Sequence, residues 1–470
     1  MNKRDSSTGD ADLSAVSEIP NLEEPLPAAA PQGTSLSATE PVATHDHTGG
    51  ISHAWRALRA PNFRLFFSGQ SISLIGTWMT RVATSWLVYR LTGSAWLLGI
   101  VGFMGQIPTF VLAPFAGVWV DRWNKRSVLV WTQALAALQS LLLAALTLSH
   151  RVTVRDILAL SVLQGLINAF DMPGRQAFLI EMVDDKRDLG NAIALNSSIV
   201  NVARLIGPSI AGVVIALYGE GWCFLADGIS YFAVIASLLA MRLRPIVSAE
   251  RRDTVFQQLR EGWQYVSGFL PIRNLLLLFA IVSLMGMPYT VLMPVFASQV
   301  LHGGAHTLGF LMGAAGVGAL VSALLLALRK SVKGLLRMVP ISAALFGAGL
   351  VCFGLSHILW LSLTLMLFVG FGMMQGMAAS NTIIQTLAPA DKRGRVMSFY
   401  TMAFVGMAPF GSLLAGGLAH VMSASWAVVI TGSCCMLGAV WFWRQMGAVR
   451  TAMRPIYREL GIVRPAPDTN

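Results

Sequence analysis

Charge is scarce in this chain. Only 12% of its 470 residues are Asp, Glu, Lys or Arg, and 55% are hydrophobic. A soluble domain carries about 25% charged residues, so an ordinary soluble fold is excluded. Cysteine is scarcer still, with four in all: Cys223, Cys352, Cys434 and Cys435. All stand in apolar stretches without paired loop spacing. That excludes a disulfide framework and a thiolate metal site, and leaves small buried apolar residues. No G-x-x-x-x-G-K-[ST] loop is present, which excludes an ATP-driven pump within this chain. No H-E-x-x-H or other clustered catalytic set occurs, so no catalytic residue, cofactor or metal is expected. No apolar h-region follows Lys3 and Arg4, so residues 1–54, rich in Ser, Thr, Ala, Pro and Glu, are not a signal peptide. They read as a disordered cytoplasmic tail.

What the chain does have is long apolar runs. Twelve fill residues 63–446, at about 66–90, 95–118, 127–149, 157–178, 192–217, 222–241, 274–299, 306–328, 338–356, 358–384, 396–421 and 424–443. A hydrocarbon core of about 30 Å needs roughly 20 apolar helical residues. The fold class is therefore an all-α integral membrane protein with twelve transmembrane helices. Bases collect on alternate connections: Arg56 to Arg64, Arg122 to Arg126, Arg175 to Arg187, Arg242 to Arg273, Arg329 to Arg337, Lys392 to Arg395, and the C-terminal residues. The intervening connections hold Arg90, Arg151 and Arg155 and little else. The positive-inside rule places the first set, and both termini, in the cytoplasm. This also accounts for the net charge of +11 without nucleic acid as a partner.

The chain divides six and six. An N-terminal bundle at 55–241 and a C-terminal bundle at 274–446 flank a linker at 242–273, and a cytoplasmic tail follows at 447–470. Within the linker, Phe256, Leu259, Trp263 and Val266 have helical spacing, which predicts an amphipathic helix on the inner membrane surface. The halves look like copies. NFRLFFSGQSISLIG at 62–76 matches NLLLLFAIVSLMG at 274–286, and WLLGIVGFMG at 96–105 matches HTLGFLMGAAG at 306–316. DKRDLGNAIALNSSIVNVARLIGPSIAG at 185–212 matches DKRGRVMSFYTMAFVGMAPFGSLLAG at 391–416 with a two-residue gap. A duplicated six-helix unit puts the binding site between the halves, near the midplane.

Between the second and third spans stands GVWVDRWNKR, Gly117 to Arg126. In this setting it resembles the G-x-x-x-D-R-x-x-R-R loop of the major facilitator superfamily, with Gly117, Asp121, Arg122, Lys125 and Arg126 at the motif positions. GPSIAG, Gly207 to Gly212, resembles the antiporter motif of exporters in that superfamily. Gly207, Pro208 and Gly212 match it, and Ala203 and Ala211 stand where it has glycine. FRLFFSGQSISLIGTW, YRLTGSAWLLG, AFDMPGRQAFLIEMV and NAIALNSSIVNVARLIGP are similar to the branch of enterobactin exporters and macrolide efflux proteins. The resemblance covers about residues 55–445. It implies the major facilitator fold, two pseudo-symmetric six-helix halves, and proton-coupled export. Two departures bear on coupling: Ser161 stands where many relatives have a proton-linked Arg, and Ser331 stands where a second loop Asp would be.

Ionisable groups at membrane depth are rare and functional by default. The six C-terminal spans contain no Asp, Glu, Lys or Arg. The N-terminal six contain Arg81, Arg204 and Asp227 at similar depth, and Asp171 and Arg175 near the cytoplasmic end of the fourth span. An Arg204–Asp227 ion pair would tie neighbouring spans and leave Arg81 without an acid. Arg81 then faces either an anionic substrate or backbone and polar groups. Asp171 and Arg175, one turn apart, are expected with Glu181 in a network near Asp121–Arg126, either an inner gate or a static cluster. Gln164 and Asn201, like Asn168 and Asn196, line a wet cavity or bridge helices.

The function expected is secondary active export of a small amphiphilic molecule, siderophore or drug-like, across the cytoplasmic membrane by alternating access. The partners are the substrate, the bilayer and a proton, and the unit is a monomer. An uptake carrier, a lipid flippase and a non-transporting receptor or scaffold are the alternatives.

Overall fold

The computed structural model describes residues 56–183, 188–242, 255–329, 331–389 and 392–460, with only the backbone described at 113, 114, 118, 121 and 255–259. The 1–54 tail, Lys186, Arg187 and Asp391 lie outside the described residues, as do the side chains of Asp121, Phe256 and Leu259. Helix dominates, because a backbone in hydrocarbon must satisfy its polar groups within its own segment.

Among the described residues, twelve long helices follow one another. In the first half they are α1 Pro61–Thr92, α2 Ala95–Arg122, α3 Lys125–Leu148, α4 Val154–Glu181, α5 Leu189–Tyr218 and α6 Glu220–Ala240. In the second half they are α7 Leu270–Val300, α8 Ala305–Ala327, α9 Leu335–Leu355, α10 Leu359–Leu387, α11 Arg393–Val421 and α12 Ala424–Glu459. Eleven of them are long and apolar enough to cross a membrane. The twelfth, α1, has the length but carries Asn62, Arg64, Gln70, Arg81 and several serines and threonines. α12 runs past the boundary expected at 446 and ends at Glu459. A separate linker helix, Val255–Gly268, lies where the amphipathic spacing puts it. It is tied to α11 by the Glu261–Arg395 ion pair and by Trp263 against Phe399, ring centroids 6.0 Å apart.

Local signals set the ends. Ser94 and Asn124 accept from the backbone N–H groups of Leu97 and Ser127. Thr153 and Asp156 form a capping box. Gly93 ends α1 in the left-handed conformation, at φ 61°. Two second-half helices are interrupted. α7 contains π-helical turns at Val282–Gly286 and Phe296–Val300, beside Pro288 and Pro294. Proline removes a donor and crowds the preceding turn, and such widened turns recur at functional sites. α11 breaks at Gly406–Met407, just before Pro409.

The pairings repeat with an offset of six. In the first half α1 packs on α6, α2 on α4, and α3 on α4 and α6. In the second, α7 packs on α12, α8 on α10, and α9 on α10 and α12. Two seams join the halves: α5 against α8, and α2 against the Ala408–Val421 part of α11. Each seam is a glycine contact. A Cβ added to Gly212 would lie 2.9 Å from the Gly309 Cα, and one added to Gly416 would lie 2.8 Å from the Gly99 Cα. Both seams lie toward the end carrying the α1–α2 and α5–α6 connections. The opposite end carries the Gly117–Arg126 loop.

Candidate functional site: a cavity between the halves

Closed at the glycine seams, the halves enclose a cavity of about 560 Å³. It extends from Arg81 and Pro208 near the seams to Phe66, Gln176 and Leu179 toward the other end. The two walls differ. The first half contributes Arg81, Gln106, Gln133, Gln164, Asn168, Asp171, Arg175, Asn196, Arg204 and Tyr231. The second contributes mainly Met287, Tyr289, Met312, Met373, Phe404 and small residues, with Thr290 its one short polar side chain.

Arg81 on α1 is exposed to the cavity. Its guanidinium carbon lies 4.8 Å from the Trp78 ring centroid, and that of Arg204 on α5 lies 5.3 Å from the same ring. Gly207 seats this arrangement, since a Cβ there would lie 2.5 Å from the Trp78 Cβ. The Arg204 Nε and Nη1 atoms are buried without a hydrogen-bond partner. Among the described residues, no carboxylate pairs with either arginine.

The expected Arg204–Asp227 pair does not form. α6 packs chiefly on α1 and α3, whereas α5 packs on α1 and α8, so the two groups point into different layers. Asp227 accepts from the Ser140 hydroxyl at 3.2 Å and sits where a Cβ on Gly76 would lie 2.8 Å from its Oδ1. That Oδ1 has no partner among the described residues.

Asp171 and Arg175 do pair along α4. Asp171 also accepts from Gln133 at 2.7 Å and Thr132 at 3.0 Å, both on α3. The single network expected with Glu181 divides in two. Glu181 instead holds Lys125 at 2.6 Å, at the helix end. Ten residues of α4 separate Asp171 from Glu181, about 15 Å of rise. In the same loop, Arg126 donates to the Leu239 carbonyl at 2.6 Å and so caps the end of α6, while Arg122 is exposed.

Among the described residues, Gly117 makes no close approach here, because a Cβ on it would meet nothing within 4 Å. α2 meets α11 chiefly along Ala408–Val421, away from this end. Gln164 lines the cavity and donates to Asn168 at 3.2 Å, but Asn201 turns to its own helix and donates to the Ser197 carbonyl at 3.0 Å. The sequence reading missed Trp78, Gln106, Tyr231 and Tyr289. Trp78 had a signal, since it stands one helical turn before Arg81.

The profile of a family described as transmembrane secretion effectors matches residues 52–453. The staphyloferrin A transporter of Staphylococcus aureus is 30% identical over 75% of this chain and 88% of its own length. A multidrug efflux pump, Tap, of Mycolicibacterium fortuitum is 27% identical over 77% of this chain and 90% of its own. The enterobactin exporter EntS of Citrobacter koseri is 24% identical over 84% of this chain and 94% of its own. Among solved structures, an inward-facing bacterial homologue of the lysosomal transporter Spinster superposes with a TM-score of 0.61 at 13% identity, covering 89% of this chain and 100% of that one. An inward-facing bacterial homologue of the iron transporter ferroportin gives 0.62 at 17%, covering 82% and 98%. The duplicated helix pairing, the cavity between halves and the family match agree: this chain is a multi-pass membrane transporter of the major facilitator superfamily, and belongs to its transmembrane secretion effector family.

Proposed function

We propose that this chain exports a small amphiphilic molecule, siderophore-like or drug-like, across the cytoplasmic membrane by alternating access coupled to proton entry. The observation that carries this reading is the cavity of about 560 Å³, sealed at one end by glycine seams and bounded by one polar and one apolar wall. Such a space suits a compound with both kinds of surface. The basic connections favour a cytoplasmic unsealed end, and on this reading the conformation is inward-facing and the seams form the outer gate. Gly117, left in open space, then becomes a contact point when the inner end closes. The Lys125–Glu181 and Asp171–Arg175 pairs are the inner elements that such closure rearranges. One chain contains both halves and the whole cavity, so the monomer is the working unit.

For coupling, the geometry favours Asp227 over Asp171. Asp171 is held by Arg175, Gln133 and Thr132, whereas Asp227 has no basic partner among the described residues. A carboxyl without a fixed counter-charge is the better proton carrier.

The test is uptake of fluorescent dyes and siderophores by everted vesicles, with and without a protonophore. Protonophore-sensitive accumulation is expected, and Asp227→Asn should abolish it. Accumulation that ignores the protonophore would remove proton coupling, and movement only in right-side-out vesicles would reverse the direction. Reporter fusions after Gly50 and after Leu460 should both report the cytoplasm.

A further inference from the structure

We propose that Arg81 and Arg204, both stacked on Trp78, form a clamp for an oxyanion group on the transported molecule, so that the preferred substrates are anionic amphiphiles. The proposal rests on the export reading above and specifies which part of the cavity recognises charge.

Charge in the cavity is unbalanced. Among the described residues, four charged side chains line the cavity, three arginines and Asp171. Asp171 is taken by Arg175. Asp227 is turned toward Ser140 and is not part of the wall. Two positive charges therefore face the cavity with no protein anion beside them among the described residues. The second half, whose wall is apolar, supplies none.

Geometry then localises the site. Both guanidiniums lie over one indole ring, at 4.8 and 5.3 Å, so Trp78 brings two fork-shaped donors to the same ring. Cation–π contact holds an arginine in position but leaves its N–H groups unused. Nε and Nη1 of Arg204 are buried and make no hydrogen bond. Buried polar groups are ordinarily satisfied, and each one left open costs about 1–3 kcal/mol. A carboxylate or phosphate oxygen would satisfy them, and guanidinium forks match such groups in shape. Met312 and Met373 on the opposite wall suit the apolar remainder of the same molecule.

The experiment is titration of the purified full-length protein, in detergent micelles, with citrate and with its neutral trimethyl ester. Citrate should bind more tightly than the ester. Arg81→Gln and Arg204→Gln should each weaken citrate by about tenfold or more and the ester by much less. Arg81→Lys should recover part of the loss, because charge returns without the fork. Arg90→Gln, at the α1–α6 edge outside the cavity, should leave citrate affinity unchanged. Gel filtration and thermal unfolding of each variant establish that it is folded. A parallel titration with phosphatidylglycerol and phosphatidylcholine distinguishes the source of the anion. Competition with citrate by phosphatidylglycerol alone would assign the clamp to a lipid headgroup. Equal losses for citrate and ester in folded variants, or no citrate binding to the wild-type protein, would overturn the clamp. The export reading fails separately, if everted wild-type vesicles accumulate no compound at all.

Discussion

The two walls of the cavity belong to halves that share a fold and differ in chemistry. The helix pairings repeat between them, α1–α6 with α7–α12 and α2–α4 with α8–α10. Yet the first half lines the cavity with Arg81, Arg175, Arg204 and Asp171, and the second with Met287, Met312, Met373 and Phe404. Symmetry of packing does not require symmetry of function. The first half carries fixed charges, which are costly in hydrocarbon and so must be paired, stacked or wetted. The second carries polarizable, unbranched side chains, which adapt to ligand shape. Two of its helices are also interrupted, with π-turns in α7 and a break in α11. On the reading proposed above, recognition of charge falls to one half, and accommodation and flexing to the other.

This contrast can be broken first at its buried ion pair. Arg175→Ala leaves Asp171 buried with only Gln133 and Thr132 as partners. Removing one member of a buried pair costs about 3–5 kcal/mol. A marked fall in thermal stability of the purified protein is expected, the largest effect in this set. Unchanged melting would show that the charges of the first half do not support its fold.

The seams come next. Gly212→Val must displace backbone, because a Cβ there meets the Ala305 carbonyl and the Gly309 Cα, each at 2.9 Å. Overpacking costs about 1–3 kcal/mol, and here opening the seam relieves it. Labelling of a cysteine at position 209 from the seam side should then quicken about fivefold or more. Slower or equal labelling would mean that α5 and α8 do not separate.

The smallest effect belongs to the apolar wall. Met373→Leu conserves volume and should change transport by less than about twofold, since such swaps cost under about 1.5 kcal/mol. A large, substrate-dependent loss would show that the second half also selects, and would blur the division between the walls.

Much of this was legible in the residues. Apolar runs spaced the twelve helices, because the length a bilayer demands of a helix is written in consecutive side chains. Gly207 and Gly212 stood out by their resemblance to a motif, and the structure places one against Trp78 on α1 and the other against Gly309 on α8. Arg81 stood out as an intramembrane cation. What failed was pairing at a distance. Arg204 and Asp227 share a depth and lie on consecutive helices, yet α5 and α6 are not principal neighbours. Depth follows from counting residues along a helix, whereas azimuth depends on which helix packs where.

By itself the sequence determined the class, the span order, the duplication and the presence of uncompensated positive charge in the first half. These depend on local properties: hydropathy per residue, turn and cap chemistry, and the rarity of charge in lipid. Only the tertiary structure decided that Asp227 turns to Ser140, that Arg81 and Arg204 share one tryptophan, and that Gly117 stands apart while Gly99 meets Gly416. Those outcomes depend on how helices rotate about their axes and which faces meet. That rotation is set by packing among residues far apart in the chain.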